Sequence, residues 1–232
     1  MRPSPQWPEG VPGPAWFRVA SCEFRVRIGL GDPHVQLATR TSPRASAPIV
    51  TLYGSSSPRT PAAYSQAAAA VGMACARRGW RLRTGAGRHG CMGAAADACI
   101  AAGGTVEGVI LRKFLDEGLS HAGLASLEVA DDMRSRKRLL AAGADAFICL
   151  PGGPGTWEEF WEMVVQRQIG VVSAPLLALD VAGHYAPFRT MLQRAHDDGL
   201  LYGPPHDLVE WHDLVPAAEA RLIQLLTPLE RP

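Results

Sequence analysis

From position 49 onward, two rhythms of apolar residues alternate along the chain. Short β-branched or aliphatic runs predict strands at 49–53, 81–84, 106–110, 127–130, 146–150 and 176–179. Longer alanine- and leucine-rich segments between and after them predict helices near 61–78, 91–103, 132–143, 156–169, 186–198 and 213–226. Alternating strands and helices are the βαβ signature, so the fold class is α/β, a doubly wound and mostly parallel sheet. Right-handed crossovers put helices on both faces of such a sheet and ligands at the carboxyl ends of its strands. Residues just after strands are therefore the ones to read for chemistry.

The first 47 residues follow neither rhythm. Pro3, Pro5, Pro8, Pro12, Pro14, Pro33 and Pro43 punctuate them, around one strand-like patch at 24–28. They read as a loosely ordered Pro-rich extension, dispensable for folding unless Trp7, Trp16 and Phe17 pack on a core, ahead of a single domain at 48–232. The 232 residues are 47% apolar and 19% charged with a formal charge of +1, a globular composition with no overall field to attract nucleic acid or an anionic membrane. The longest near-apolar stretch, 67–76, is about half the roughly 20 residues that a bilayer span requires. No apolar stretch of a secretory signal opens the chain. Cys22, Cys75, Cys91, Cys99 and Cys149 are odd in number and lack Cys-x-x-Cys spacing. A cytoplasmic protein with buried free thiols is expected, without a disulfide framework or zinc ribbon.

Three post-strand loops carry polar chemistry. Gly54-Ser55-Ser56-Ser57 could receive a ligand on its backbone and hydroxyls, or simply cap the next helix. Gly85-Ala-Gly87-Arg88-His89-Gly90 matches a glycine-rich anion turn opening a helix. It follows the second strand, and Glu107 lies inside the next strand rather than at its end, so a full dinucleotide site is disfavoured. Leu150-Pro-Gly152-Gly153-Pro-Gly155-Thr156 ends an apolar strand in a loop whose N–H groups, with the following helix N-terminus, suit a phosphate. No Lys-Ser/Thr pair follows its last glycine, so it binds rather than transfers a phosphoryl group. Glu159 has two readings. It is a carboxylate beside that phosphate, or the far end of a Thr156-x-x-Glu159 capping box on a helix beginning near Thr156.

In the segment at 132–140, three-and-four spacing gathers Met133, Arg136, Lys137 and Leu140 on one side of a helix and Arg134 and Arg138 on another. A guanidinium on an apolar face must meet a carboxylate or a ligand phosphate; the alternative is a solvated basic face served by Asp131, Asp132 and Glu128.

Together, Gly54-Ser-Ser, Gly85-x-Gly-x-x-Gly-x-Met-Gly93, Met133-x-x-Arg136-Lys137 and Pro151-Gly-Gly-x-Gly-Thr-x-x-Glu159 resemble the LONELY GUY family over roughly 49–202. The resemblance implies a Rossmann-like nucleoside 5′-monophosphate phosphoribohydrolase, of the kind that releases cytokinin bases from their ribotides in cytokinin biosynthesis. It implies Arg136 and Glu159 as the catalytic residues and the loop at 152–156 as the holder of the 5′-phosphate. Gly54, Ser55, Gly87, Arg88, Met133, Lys137, Gly152, Gly153, Gly155, Thr156 and Glu158 are the expected substrate- and phosphate-binding residues. No metal or other cofactor is required, and the partners expected are the nucleoside monophosphate and a second copy in a homodimer. Arg88, Ser126, Arg134, Val165 and Gln166 depart from the family pattern, which leaves the base open. The alternative reading is a non-catalytic carrier of a nucleotide or of a phosphorylated cofactor, on the pattern of molybdenum-cofactor carriers.

Overall fold

The computed structural model describes residues 47–226, so the expected extension at 1–46, its patch at 24–28 and Cys22 lie outside the described residues. Seven strands form one sheet: β1 (Ile49–Tyr53), β2 (Arg81–Thr84), β3 (Thr105–Leu111), β4 (Ser126–Ala130), β5 (Ala146–Cys149), β6 (Leu176–Leu179) and β7 (Glu210–His212). Their order is β4-β3-β2-β1-β5-β6-β7, and every pairing is parallel. The connecting helices are α1 (Ala62–Arg77), α2 (Gly90–Ala101), α3 (Arg112–Asp116), α4 (Met133–Ala141), α5 (Pro154–Gln168), α6 (Ala186–Asp197), α7 (Pro205–Leu208) and α8 (Val215–Leu226). All six expected strands and all six expected helices are present. The sequence reading omitted the short β7, α3 and α7, none longer than five residues.

Strand periodicity divides the core cleanly. Val50, Leu52, Ala146, Ile148, Leu177 and Leu179 point to one face, under α1, α2 and α8, while Tyr53, Phe147, Cys149, Leu176 and Ala178 point to the other, under α4, α5 and α6. On the first face the alanine-rich helices meet at backbone range: a Cβ on Gly72 would lie 2.1 Å from the Ala95 carbonyl oxygen, so only glycine allows this approach. On the second face Phe160, Tyr185, Phe188 and Trp211 form an aromatic cluster, and the Tyr185 hydroxyl donates to the Leu150 carbonyl at 2.7 Å. That bond fixes the last residue before the glycine-rich loop at 151–155.

The chain reverses its direction across the sheet between β1 and β5. This is the topological switch point, where the loops after the two central strands diverge and leave a crevice. Among the described residues no helix is long and apolar enough to cross a membrane.

Candidate functional site

A cavity of about 410 Å³ opens at the switch point. It is lined by Gly54 to Ser57 after β1, Gly85 and Gly87 to His89 after β2, Met92 of α2, Ile110 of β3, Phe114 and Leu119, Met133 and Arg136 of α4, and Gly153 to Thr156 with Glu159 of α5. Glycine-rich turns and hydroxyls form one part of the wall, and Met92, Ile110, Phe114 and Leu119 form an apolar part.

At its floor Arg136 meets Glu159, Nη1 to Oε1 at 3.3 Å, with both residues under 9% exposed. Arg136 also donates from Nε to the Val109 carbonyl at 3.2 Å and from Nη2 to the Gly85 carbonyl at 3.3 Å. The guanidinium is thus fixed by three acceptors from three elements. Burial pushes the Glu159 carboxyl up to about 7, against the opposing pull of Arg136. A carboxyl that can lose or hold a proton near neutrality suits general acid–base work.

The elements that aim this pair are themselves tied. The Asp132 side chain caps α4, accepting from Ser135 N at 2.8 Å. Thr51 of β1 donates to the Leu140 carbonyl at 2.9 Å, and buried Arg83 donates to the Leu139 and Ala142 carbonyls at the end of α4. Arg83 is in turn paired with Glu107 at 3.0 Å. Glu107 therefore serves this scaffold, which agrees with its place inside a strand.

The loop after β1 does not cap α1. Pro61 occupies that N-cap without a side-chain hydrogen bond, and Ser55 Oγ instead faces Thr60 Oγ1 at 2.7 Å and accepts from Ser57 N at 3.2 Å. In the second loop Ala86 has φ of 62°, and a Cβ on Gly85 would lie 2.1 Å from Arg136 Nη2. Glycine there makes room for the guanidinium. The turn is braced from outside by Arg88 N donating to Leu119 O and His121 N donating to Ala86 O.

The capping-box reading of Glu159 is overturned. Helix α5 begins at Pro154, with Gly153 as N-cap and no side-chain cap bond, because proline is preorganised for the first helical position. Thr156 then lies inside the first turn and Glu159 inside the second, where it faces Arg136. Lys137 and Glu158, expected at the substrate, are absent from the cavity wall: they bond each other at 2.8 Å, and Lys137 also pairs with Glu162 at 2.9 Å. Gly152 lies behind the wall, its N–H donating to His184 Nε2 at 3.3 Å, where a Cβ would strike Thr156 Oγ1. Gly54, Ser55, Gly87, Arg88, Met133, Gly153, Gly155 and Thr156 are in the wall with Arg136 and Glu159. Ile110, Phe114 and Leu119 were missed: they lie near the end of β3, in α3 and in the loop that follows it.

Comparison with known proteins bears on this geometry. The family model described as "possible lysine decarboxylase" matches residues 92–220. Neither Lys113 nor Lys137, the chain's two lysines, lines the cavity. The cytokinin riboside 5′-monophosphate phosphoribohydrolase of Rhodococcoides fascians is 37% identical over 169 residues, 72% of this chain and 83% of that protein. The enzyme of that name from Mycobacterium tuberculosis is 37% identical over 150 residues, 65% of this chain and 80% of that one. Among solved structures, the molybdenum cofactor carrier protein of Chlamydomonas reinhardtii superposes with a TM-score of 0.60 at 24% identity, over 78% of this chain and 99% of that chain. The molybdenum cofactor binding protein of Rippkaea orientalis gives 0.62 at 17% identity, over 79% and 100%.

Proposed function

The chain belongs to the LONELY GUY family of nucleoside 5′-monophosphate phosphoribohydrolases and is a hydrolase of the nucleotide N-glycosidic bond, and on that premise we propose that Glu159 and Arg136 carry its reaction in the switch-point pocket. The single observation behind this assignment is a buried carboxylate–guanidinium pair at the floor of a pocket whose rim is a phosphate-type loop.

The backbone N–H groups at Gly153, Gly155 and Thr156, at the positive end of α5, take the 5′-phosphate, with Ser55 opposite. Glu159, one to two turns along the same helix, then lies beneath the ribose. Positioning supplies much of the acceleration in such a site. As the bond from C1′ to the base nitrogen lengthens, its electron pair leaves with the base, and the ionised Glu159 stabilises the positive charge developing on the ribose. Water adds to C1′ and gives its proton to Glu159; the departing base takes up a proton from solvent and Glu159 returns its own to solvent, leaving free base and ribose 5-phosphate. Arg136 holds the carboxylate and is placed to grip a substrate oxygen.

The apolar wall of Met92, Ile110, Phe114 and Leu119 suits the base, an adenine with or without an apolar substituent, as in a cytokinin ribotide. The four buried free thiols among the described residues favour a reducing compartment, the cytoplasm. A homodimer is supported by Trp157 and Val165 on α5 and Ile169 at its C-cap, apolar side chains that are 37%, 53% and 56% exposed. Val165→Glu should raise the monomer fraction in light scattering; an unchanged dimer would exclude this face.

Chromatographic detection of base released from a panel of purine and pyrimidine monophosphates tests the reaction. Release from an adenine nucleotide is expected. No release from any member, or a ligand that copurifies unhydrolysed, would favour a carrier instead.

A further inference from the structure

Lys137 stands one residue after Arg136, yet it does not reach the pocket. Its ammonium lies between Glu158 Oε1 at 2.8 Å and Glu162 Oε2 at 2.9 Å, and the side chain is only 18% exposed. Glu162 is also held through Oε1, which accepts from Gln166 Nε2 at 3.1 Å. Glu158, Glu159 and Glu162 crowd three carboxylates into little more than one turn of α5, and only Glu159 faces the cavity and Arg136.

We propose that Lys137 is a positioning residue of the hydrolase: clamped between Glu158 and Glu162, its ammonium offsets the charge those carboxylates would press on Glu159 and so keeps Glu159 available as a base at neutral pH. The inference rests on the reading of Glu159 as the group that handles water.

The groups facing Glu159 are Arg136 and Lys137 from α4, Glu158 and Glu162 from α5, Tyr53 from β1, Cys149 from β5 and Tyr185 ahead of α6. Burial holds the Tyr53, Cys149 and Tyr185 side chains above their ordinary values, so they stay neutral. The charges that remain are two cations that favour ionised Glu159 and two carboxylates that oppose it. Its hydrogen bond to Glu158 and its contact with Glu162 raise Lys137 above the ordinary amine value, so it is charged throughout the working range. Without Lys137, both carboxylates act on Glu159 against Arg136 alone.

The test is the pH profile of kcat/KM for the wild type, Lys137→Met, Lys137→Arg, Glu158→Gln and the triple variant Lys137→Met/Glu158→Gln/Glu162→Gln, with melting temperatures alongside. Lys137→Met should move the acid limb up by about one pH unit, the scale of a single nearby charge, losing about 5-fold at pH 7 and about 10-fold well below it, but little at high pH. Glu158→Gln should move the limb down. Lys137→Arg should leave it in place, and the triple variant should bring it back to the wild-type position or below it, since two carboxylates leave with one cation. The substrate phosphate, which ionises near pH 6, is common to every profile and does not move with them. A loss in Lys137→Met that is equal at all pH values, or an acid limb that stays put in Lys137→Met, would overturn the proposal. Should Lys137→Met fail to fold, the Glu158→Gln limb decides alone. A fully active Glu159→Gln would instead overturn the underlying reading of Glu159.

Discussion

Arg136→Met leaves Glu159 where it is and removes its cation. In the native protein the Glu159 carboxyl is raised from 4.5 to about 7, so between those values the folded chain holds a proton that the unfolded chain has released. More protons bound in the folded state means that stability falls as pH rises through this window, by ~1.4 kcal/mol per unit. Above about 7 Glu159 ionises beside Arg136 and the fall stops. In the variant nothing opposes burial and the neighbouring carboxylates except Lys137, the carboxyl is pushed higher, and the fall continues. From about pH 6 to about pH 8.5 the variant's deficit should therefore widen by about 2 kcal/mol. The Val109 and Gly85 carbonyls also lose their donor, adding a cost of about 1–3 kcal/mol that does not depend on pH. Urea unfolding at the two pH values separates these parts, provided the m-values agree. A deficit that is the same at both, or narrows with rising pH, would refute the account of Arg136 and Glu159 as a proton-coupled pair.

Gly85→Ala places a Cβ 2.1 Å from Arg136 Nη2 and 3.0 Å from Met92 Sδ, so the guanidinium must shift away from its acceptors. Turnover should fall by about 10-fold or more while the protein still folds, as steady-state kinetics and circular dichroism would show; wild-type turnover would mean that the arginine's placement is not critical. Deleting residues 2–45 should leave the melting temperature within about 5 °C, since, among the described residues, the core clusters and the cavity lining form a complete sheet-and-helix unit at 49–226. A collapse in soluble yield would show that the extension packs on the domain.

How much of this was legible in the sequence follows from the physics of each signal. The six longer strands and six longer helices carry hydrophobic periodicity over enough residues to be read, whereas β7, α3 and α7 are too short to establish a period. Spacing on α4 foretold that Arg136 needs a partner, because a charge on an apolar face has few ways to be satisfied. The start of α5 was misplaced by two residues because the Thr156-x-x-Glu159 pattern competes with Pro154, and proline's fixed φ prevails. Lys137 and Glu158 neighbour true pocket residues in sequence but point elsewhere, since adjacent residues on a helix diverge by about 100°. Phe114 and Leu119 enter the wall only through the path of the chain after β3, which no local pattern encodes.

The central claim is most directly tested by measuring base and ribose 5-phosphate release from a nucleoside monophosphate by the wild type and by Glu159→Gln. Glutamine keeps the shape of the side chain and its contact with Arg136 but can neither carry the charge nor accept the proton from water. Turnover should fall by about 10²-fold or more, with nucleotide binding and the folded state retained. A variant that keeps more than half of wild-type turnover would contradict the mechanism, leaving the pocket as a binding site only.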